Sequence, residues 1–461
     1  MNIRPTLLFG LGLLLCLGAL TYLYLNVPAG FPQPPFWSPR PNHSVEVSAL
    51  YREALGLPGR PIPADTLPPL SLLLILLSFG CYVGATRTAR RAVAAVRFPR
   101  SALAITVLIL LVLLAMPPLF ATDVFYYAIS GQIAGEFGAN PYLRPPADFP
   151  QSSLLRYNHW IDITTPYGPA WTLPATAITA VVGADPFLAT LLFKLVGASS
   201  VLVAAYAIWT LLSTISPRDA LRGTLLFLWN PVVLLEAVGN AHNDALMAAL
   251  VMVAALLLYR RKYVLGFLPL VLATFVKYLV APAAALYLVA RLCGDAAGRH
   301  ERWTLTLHLF ALATAVTLLL WAPFWAGPLT VASLAAESSR GLAGPIAAVL
   351  VVLGTLSGLL GETARTVALG GSLLALVVVL LWGLRRMVLI WRKRNVYHFT
   401  DEINSWAYAL MLVPVALPRS HQWFLLPAMA LFAVIHVRAQ RGTALTYTLA
   451  LLWFLWKAGT W

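Results

Sequence analysis

The residues whose types suggest chemistry collect in a wet, aromatic stretch, 122–169, which interrupts an otherwise apolar chain with Asp123, Tyr126, Tyr127, Asn140, Asp148, His159, Asp162 and Tyr167. A protein that only spans a bilayer has no use for such a loop. The apolar run 102–114 precedes it and further hydrophobic runs follow, so Asp123 reads as the point where a helix leaves the bilayer and the chain turns along its surface. A carboxylate placed there meets both lipid head groups and water.

Four further groups could join it. His242, Asn243 and Asp244 open an apolar helical run, 245–258. They read either as an N-cap with an acid near the positive end of the dipole, or as a helix start whose N–H groups and polar side chains bind a phosphate or sugar hydroxyls. Glu236, two turns earlier, is a second acid near the same surface, and no cap requires it. Lys277 lies fifteen positions past Lys262, about 22 Å of helix, short of the ~30 Å hydrocarbon core. An ammonium at that depth either snorkels or faces a cavity where it holds the phosphate of a lipid carrier. Lys194, about 10 Å into its own helix, is expected to snorkel. Arg419, Ser420, His421, Gln422 and Trp423 bring a cation, an imidazole and an indole to one turn. An aromatic-belt anchor explains Trp423, and a phosphate ligand explains Arg419 better.

These residues must be positioned by membrane elements. Of 461 residues 60% are hydrophobic and 11% charged, too apolar for a soluble globule of this length, and the apolar runs approach the ~20 residues that cross a bilayer. The fold class expected is an all-α polytopic membrane protein. The net charge of +15 does not mark a nucleic-acid partner, because the basic residues bunch between hydrophobic runs. Arg87, Arg90, Arg91, Arg97 and Arg100 form one such connector, Arg260, Arg261 and Lys262 another, and Arg385, Arg386, Arg392, Lys393 and Arg394 a third. Such connectors face the cytoplasm. Cys16, Cys81 and Cys293 lie in or beside apolar runs and give no disulfide framework.

With these connectors inside, the first run reads as a retained span and 27–67 as an external excursion. That segment is Pro-rich (Pro28, Pro32, Pro34, Pro35, Pro39, Pro41) and is expected to be irregular. The loop at Asp123 is then external, and Asp162, Glu236, His242, Asp244, Arg340, Arg419 and His421 fall on the same face or just below it. Phe125, Ile129, Ile133 and Phe137 recur every four residues, which predicts a surface helix half sunk in the interface. Thr122 or Asp123 capping that helix is the plainer use of its start. Two apolar runs, 171–182 and 187–212, compete for one crossing, and the shorter reads as interfacial or re-entrant. Run 346–360 raises the same conflict with its neighbour. The expected total is about 13 crossings, divided into an N-terminal hairpin (1–100), a core with a large external loop at 120–170 (101–293) and a C-terminal region (294–461).

Taken in order, Asp123-Val124-Phe125-Tyr126-Tyr127, Gly138-Ala139-Asn140-Pro141-Tyr142, Pro166-Tyr167-Gly168-Pro169, Asn230-Pro231, His242-Asn243-Asp244-Ala245-Leu246-Met247 and Val276-Lys277 form a pattern. It resembles the bacterial polyprenol-phosphate-mannose-dependent alpha-mannosyltransferases, especially the alpha-1,6 type that extends lipoglycan mannan cores. The turn 418–424 looks like that family's Pro-Trp-Tyr-type turn, altered here to His421-Gln422-Trp423-Phe424. The resemblance implies the C-type glycosyltransferase (GT-C) fold, an external active site, a lipid-phosphate-sugar donor and an Asp general base, which maps to Asp123.

On that basis the expected activity is transfer of a hexose, with mannose the expected sugar, from a polyprenyl phosphate to a hydroxyl of a membrane-anchored glycan, with inversion, outside the plasma (inner) membrane of a bacterium. A carboxylate must take the acceptor proton: Asp123, with Glu236 or Asp162 in reserve. Cations must stabilise the departing phosphate, and Lys277, Arg419 and His421 are the candidates. Tyr126, Tyr127, Asn140, Tyr142, Asp162, Tyr167, His242, Asn243, Asp244, Gln422 and Trp423 are the candidate sugar and acceptor contacts. No Asp-x-Asp motif is evident, and no metal or other cofactor is expected. The rival is a glycolipid transporter or flippase, which predicts paired ionisable groups at the bilayer midplane and two related halves. The polar residues instead crowd one face, and no internal similarity is visible. A ligase using a pyrophosphate-linked donor calls for more external cations, and a scaffold for fewer acids and amides at one surface.

Overall fold

The computed structural model describes residues 3–28, 43–60, 62–90, 97–118, 121–293, 299–332, 342–358, 361–392 and 398–459. Pro32, Pro34, Pro35, Pro39, Pro41, Arg91, Arg340, Lys393 and Arg394, which entered the sequence reading, lie outside them. Among the described residues every regular element is a helix. Among the described residues five helices are long and apolar enough to cross a membrane, or six if one bent pair counts as a span, which fits a polytopic membrane protein.

The chain packs as two units that interleave in sequence. Unit 1 is Met1–Thr165, Thr172–Leu246 and Phe454–Trp461. It contains α1 (Arg4–Leu25), α2 (His43–Ala54), α3 (Leu67–Ala89), α4 (Arg100–Leu114), α5 (Asp123–Gly135), most of α6 (Pro169–Val182), α7 (Pro186–Ile215), α8 (Ala220–Leu228), α9 (Pro231–Leu234) and the first residues of α10 (Asp244–Tyr259). On α1, Leu13, Leu17 and Leu20 are fully buried while Leu8 and Leu15 are about 70% exposed. Large aliphatic side chains left outside on a long helix suit lipid rather than water.

The helix pair that begins at Pro217 bends by 48° between Leu228 and Pro231. Asn230 makes the break: its Oδ1 accepts from the N–H groups of Val232 and Val233, and Pro231 follows at the first helical position, where its missing N–H leaves nothing unsatisfied. One turn of π-helix, Leu235–Gly239, completes the segment. Such turns are rare and recur at functional sites.

Unit 2 is Pro166–Trp171 and Met247–Trp453. Beyond the rest of α10 it holds α11 (Tyr263–Val276), α12 (Ala281–Cys293), α13 (Arg299–Trp321), α14 (Pro345–Leu356), α15 (Gly361–Arg392), α16 (Phe399–Ala416), α17 (Leu426–Ile435) and most of α18 (Gln440–Gly459). Arg291 of α12 is ion-paired with Glu402 of α16 and lies over the rings of Tyr263 and Tyr287. Pairing of this kind offsets the desolvation of a carboxylate only 1% exposed.

In both competitions between apolar runs the two helices differ in length. The run at 171–182 belongs to the 14-residue α6, with Pro174 inside it, and α7 has 30 residues. Likewise α14 has 12 residues, whereas the apolar stretch of α15 has 30.

Three expectations are corrected. The excursion at 27–67 is not irregular throughout, because α2 forms at 43–54, beyond the prolines, and buries Val47, Ser48 and Tyr51 on one face. The helix after Thr122 is not half sunk in an interface. Residues 124–133 of α5 are buried on every side, since Gly131 lets the backbone at Ala175 come so close that no Cβ fits and Tyr127 packs edge-on against Phe193. Lys194 does not snorkel. It is fully buried, with Nζ donating to the carbonyls of Leu113 and Met116 and lying 5.2 Å from the Tyr51 ring centroid. Leu113 is in the last turn of α4 and Met116 lies just past its end, where carbonyls run short of helical donors; the Leu113 carbonyl also accepts from Met116 N at 3.2 Å.

Candidate active site

In unit 1 three residues far apart in sequence form a line. Nδ1 of His242 is 3.6 Å from Oδ2 of Asp123, and Nε2 of the same ring is 3.3 Å from Oε2 of Glu236. The side chains of His242 and Glu236 have no exposure, and that of Asp123 has 17%. Asp123 is therefore the end of the line that meets solvent.

Local structure fixes each member. Asp123 is the first residue of α5, where the dipole favours a negative charge. Thr122 makes no side-chain cap, and the Asp123 carboxylate accepts at Oδ1 from the Trp160 indole N–H at 3.3 Å. Glu236 rides on the π-turn, and Gly197 of α7 permits the approach of that turn, because a Cβ there would collide with the Ala237 carbonyl. Asn240 donates from Nδ2 to Glu236 Oε2 at 3.0 Å, and the His242 N–H donates to the Glu236 carbonyl at 2.9 Å. Between them Ala241 takes a left-handed φ of 57°, a conformation that costs a non-glycine residue about 1–3 kcal/mol. The strain is located where the backbone reverses to aim the imidazole.

At the helix start 242–244 the Asn243 side chain supplies no cap. Asn243 is 1% exposed, yet neither atom of its side-chain amide has a hydrogen-bond partner among the described residues. The first turn is closed by backbone bonds from Ala245 N to His242 O and from Leu246 N to Asn243 O. Asp244 is fully buried at the head of α10.

Other expected contacts frame the loop. Tyr126 is 2% exposed and its hydroxyl donates to the Ile163 carbonyl, Tyr127 is 1% exposed, Asn140 Oδ1 accepts from Tyr142 N, and the Tyr142 hydroxyl meets Thr172 Oγ1 at 2.9 Å. Asp162 is exposed. Among the described residues no group of three His, Cys, Asp or Glu is arranged to hold a metal ion.

Unit 2 gathers a second cluster. Lys277 is where α11 stops, with extended φ and ψ of −155° and 127°, so it lies at a break rather than along a helix. Its ammonium is 4.1 Å from the Phe424 ring centroid and 5.6 Å from that of Tyr167. The loop carrying Tyr167 is pinned to the break: Gly168 N donates to Val276 O at 3.2 Å, and Gly168 lies so tightly on the Phe275 carbonyl that no Cβ could be placed. In the turn after α16, His421 stacks on Trp423 with centroids 4.3 Å apart and planes at 7°, and its ring meets Phe424 edge-on at 5.8 Å. Gln422 is 3% exposed, and Arg419 is half-buried two residues before His421. Aromatic faces hold an ammonium while leaving its net charge in place.

Sequence reasoning missed Trp160, Asn240 and Phe424 as members of these clusters. Trp160 and Phe424 adjoin residues it singles out and Asn240 lies two before His242, but only the fold brings Trp160 to Asp123, Asn240 to Glu236 and Phe424 to Lys277.

Residues 53–294, more than half of the chain, match the family described as MptA_B_family: Alpha-(1->6)-mannopyranosyltransferase, N-terminal domain. The matched stretch includes Asp123, Glu236, His242 and Lys277. The chain is similar to alpha-(1->6)-mannopyranosyltransferase A of Corynebacterium glutamicum, 30% identical over 171 residues that make up 36% of this chain and 34% of that protein. It is also similar to alpha-(1->6)-mannopyranosyltransferase A of Mycobacterium tuberculosis, 26% identical over 334 residues, 69% of this chain and 63% of that one. The chain thus spans about a third of the first relative and less than two thirds of the second. Half a chain matched to one family profile, with the carboxylates and the imidazole inside the match, places it: this protein belongs to the MptA_B family of alpha-(1->6)-mannopyranosyltransferases.

Proposed function

We propose that the protein transfers a mannosyl group from a polyprenyl monophosphate to a hydroxyl of a membrane-anchored glycan, with inversion at the anomeric carbon, on the external face of the plasma membrane. The printed names of its relatives support mannosyl transfer. The grouping of basic connectors between apolar runs supports the sidedness. The architecture is that of a GT-C enzyme with about 13 crossings, several of them built from short or broken helices such as α8 and α9.

The observation that carries the reading is that Asp123 alone reaches solvent from the buried line of two carboxylates and an imidazole. Its carboxylate takes the acceptor proton as the acceptor oxygen bonds to the anomeric carbon. A base so placed contributes about 10²- to 10⁴-fold. The bond from the anomeric carbon to the phosphate oxygen breaks, and the phosphate leaves with the electron pair. Lys277, held over the faces of Phe424 and Tyr167, offers a positive charge to that phosphate, and Arg419 and His421 are assigned the same role. Asp162, Tyr167, Asn243, Asp244, Gln422 and Trp423 contact sugar or acceptor. Tyr126, Tyr127, Asn140 and Tyr142 act one step back, by holding the loop.

The test supplies membranes containing the protein with radiolabelled polyprenyl-phosphate mannose and, separately, with its glucose analogue. Label entering a glycan from the mannose donor alone is the expected result. Label from the glucose donor alone, or from neither, contradicts the proposal.

A further inference from the structure

Asp123 needs one partner at most to act as a base, yet the fold supplies a buried imidazole and, behind it, a second buried carboxylate. A carboxylate without exposure is destabilising unless it is paired, and an apolar residue in place of Glu236 would remove that demand. Instead Glu236 sits on a π-turn, Asn240 holds its Oε2, Gly197 makes room for the turn, and Ala241 is strained to bring His242 between the two acids.

We propose that His242 and Glu236 form a relay that carries the acceptor proton inward from Asp123, an inference that rests on Asp123 being the base. The relay gives the Nε2 proton to Glu236, the nearer carboxylate at 3.3 Å, and the lone pair to Nδ1, 3.6 Å from Asp123; neither contact is a formed hydrogen bond, and closing both by a few tenths of an ångström (~0.5 Å) is part of the step. When the acceptor O–H bond breaks, the proton goes to Asp123 Oδ2. It passes to His242 Nδ1 as the Nε2 proton passes to Glu236 Oε2, leaving Asp123 a carboxylate, His242 a neutral imidazole with its proton on the other nitrogen, and Glu236 a carboxylic acid. No charge separates and no co-reactant is used. After product leaves, the proton returns by the same route through Asp123, the member in contact with solvent.

The relay matters because the departing phosphate is itself basic. A proton left on Asp123 at the mouth of the site is available for return to the acceptor oxygen or for transfer to phosphate, and one stored on Glu236 is not. The elements packed on the π-turn and on α5 carry few other ionisable groups among the described residues, and Asp148, on the 146–148 turn packed on α5, is ion-paired with Arg144. On α7, which packs on the π-turn, Lys194 donates to Leu113 and Met116. On α4, which also packs there, Arg100 begins the helix, at the end remote from Leu113. The 153–157 turn packed on α5 carries Arg156, bonded to Glu46, and Tyr157, whose ring stacks on Phe125. Asp244 follows two residues after His242 as the acid next in line.

His242 and Glu236 are thus positioning residues, and the experiment needs readouts that a purely structural role would not move. Initial rates with polyprenyl-phosphate mannose are measured for the unaltered protein, Glu236→Gln, Glu236→Asp, His242→Gln and Asp123→Asn, across pH. We expect Glu236→Gln and His242→Gln to lower kcat by about 10- to 100-fold with donor KM unchanged. The acid limb of the kcat profile should shift, and Glu236→Asp should recover part of the rate. In the unaltered protein, kcat in mixtures of light and heavy water should fall along a curve, because more than one proton moves; this requires no variant to fold. Unchanged kcat and acid limb in both variants, or a straight-line isotope dependence, overturns the relay while Asp123→Asn remains inactive. Full activity of Asp123→Asn is a different failure, that of the base itself.

Discussion

The Lys277 ammonium lies 4.1 Å from the centroid of the Phe424 ring, although 146 positions of sequence separate the two residues. An aromatic face at that distance stabilises a cation by about 0.5–2 kcal/mol, depending on desolvation, and fixes its position without cancelling its charge. Lys277→Ala should therefore raise the donor KM about tenfold or more, the equivalent of ~1.4 kcal/mol, and Phe424→Leu should raise it by only a few-fold. Titration with polyprenyl-phosphate mannose decides it. An unaltered donor KM in Lys277→Ala removes the lysine from the phosphate site.

Trp160 predicts a smaller effect. Its Nε1–H donates to Asp123 Oδ1 at 3.3 Å, and Trp160→Phe keeps the ring while deleting the donor. A hydrogen bond to a charged group contributes about 1.5–3 kcal/mol. The kcat of Trp160→Phe should fall by about tenfold, with protein level unchanged. An increase in kcat would mean that the indole restrains the carboxylate rather than orients it.

Lys194 offers a test of stability alone. Replacing it by Met keeps the length of the side chain but leaves the Leu113 and Met116 carbonyls without their ammonium donor. The Leu113 carbonyl keeps its bond from Met116 N, so the loss falls on the Met116 carbonyl, and a buried acceptor left unsatisfied costs about 1–3 kcal/mol. Thermal unfolding of Lys194→Met in detergent should show a fall in Tm of several degrees. An equal or higher Tm would mean that removing a buried ammonium outweighs the lost cap.

Gly197 links packing to chemistry. A Cβ at this position would collide with the Ala237 carbonyl in the turn that carries Glu236, and overpacking of this kind costs about 1–3 kcal/mol. Gly197→Val should lower transfer more than it lowers the amount of protein in the membrane, measured by activity per immunoblotted protein. Normal specific activity would show that the π-turn tolerates displacement.

How much of this was legible in the sequence differs by scale. The apolar runs, the basic connectors and the acids at 123 and 236 were visible, because hydropathy and charge are written residue by residue. The burial of α5 was not. The stripe Phe125, Ile129, Ile133 and Phe137 predicts one buried face, and nothing local reveals that Gly131 invites the Ala175 backbone onto another. Lys194 misled for the same reason, since its partners are backbone carbonyls that have no side-chain signature. His242 was recognised as a polar helix start, but its link to Glu236 depends on a π-turn and a left-handed alanine that propensity does not forecast. Lys277 was singled out for its depth in a helix, and the structure ends the helix at that residue.

The most direct measurement is mannosyl transfer by Asp123→Asn in washed membranes, normalised to protein level, with radiolabelled polyprenyl-phosphate mannose as donor. Asparagine keeps the shape of the side chain and removes its basicity. A loss of about 10²-fold or more is the predicted result, and transfer at the unaltered rate contradicts the account.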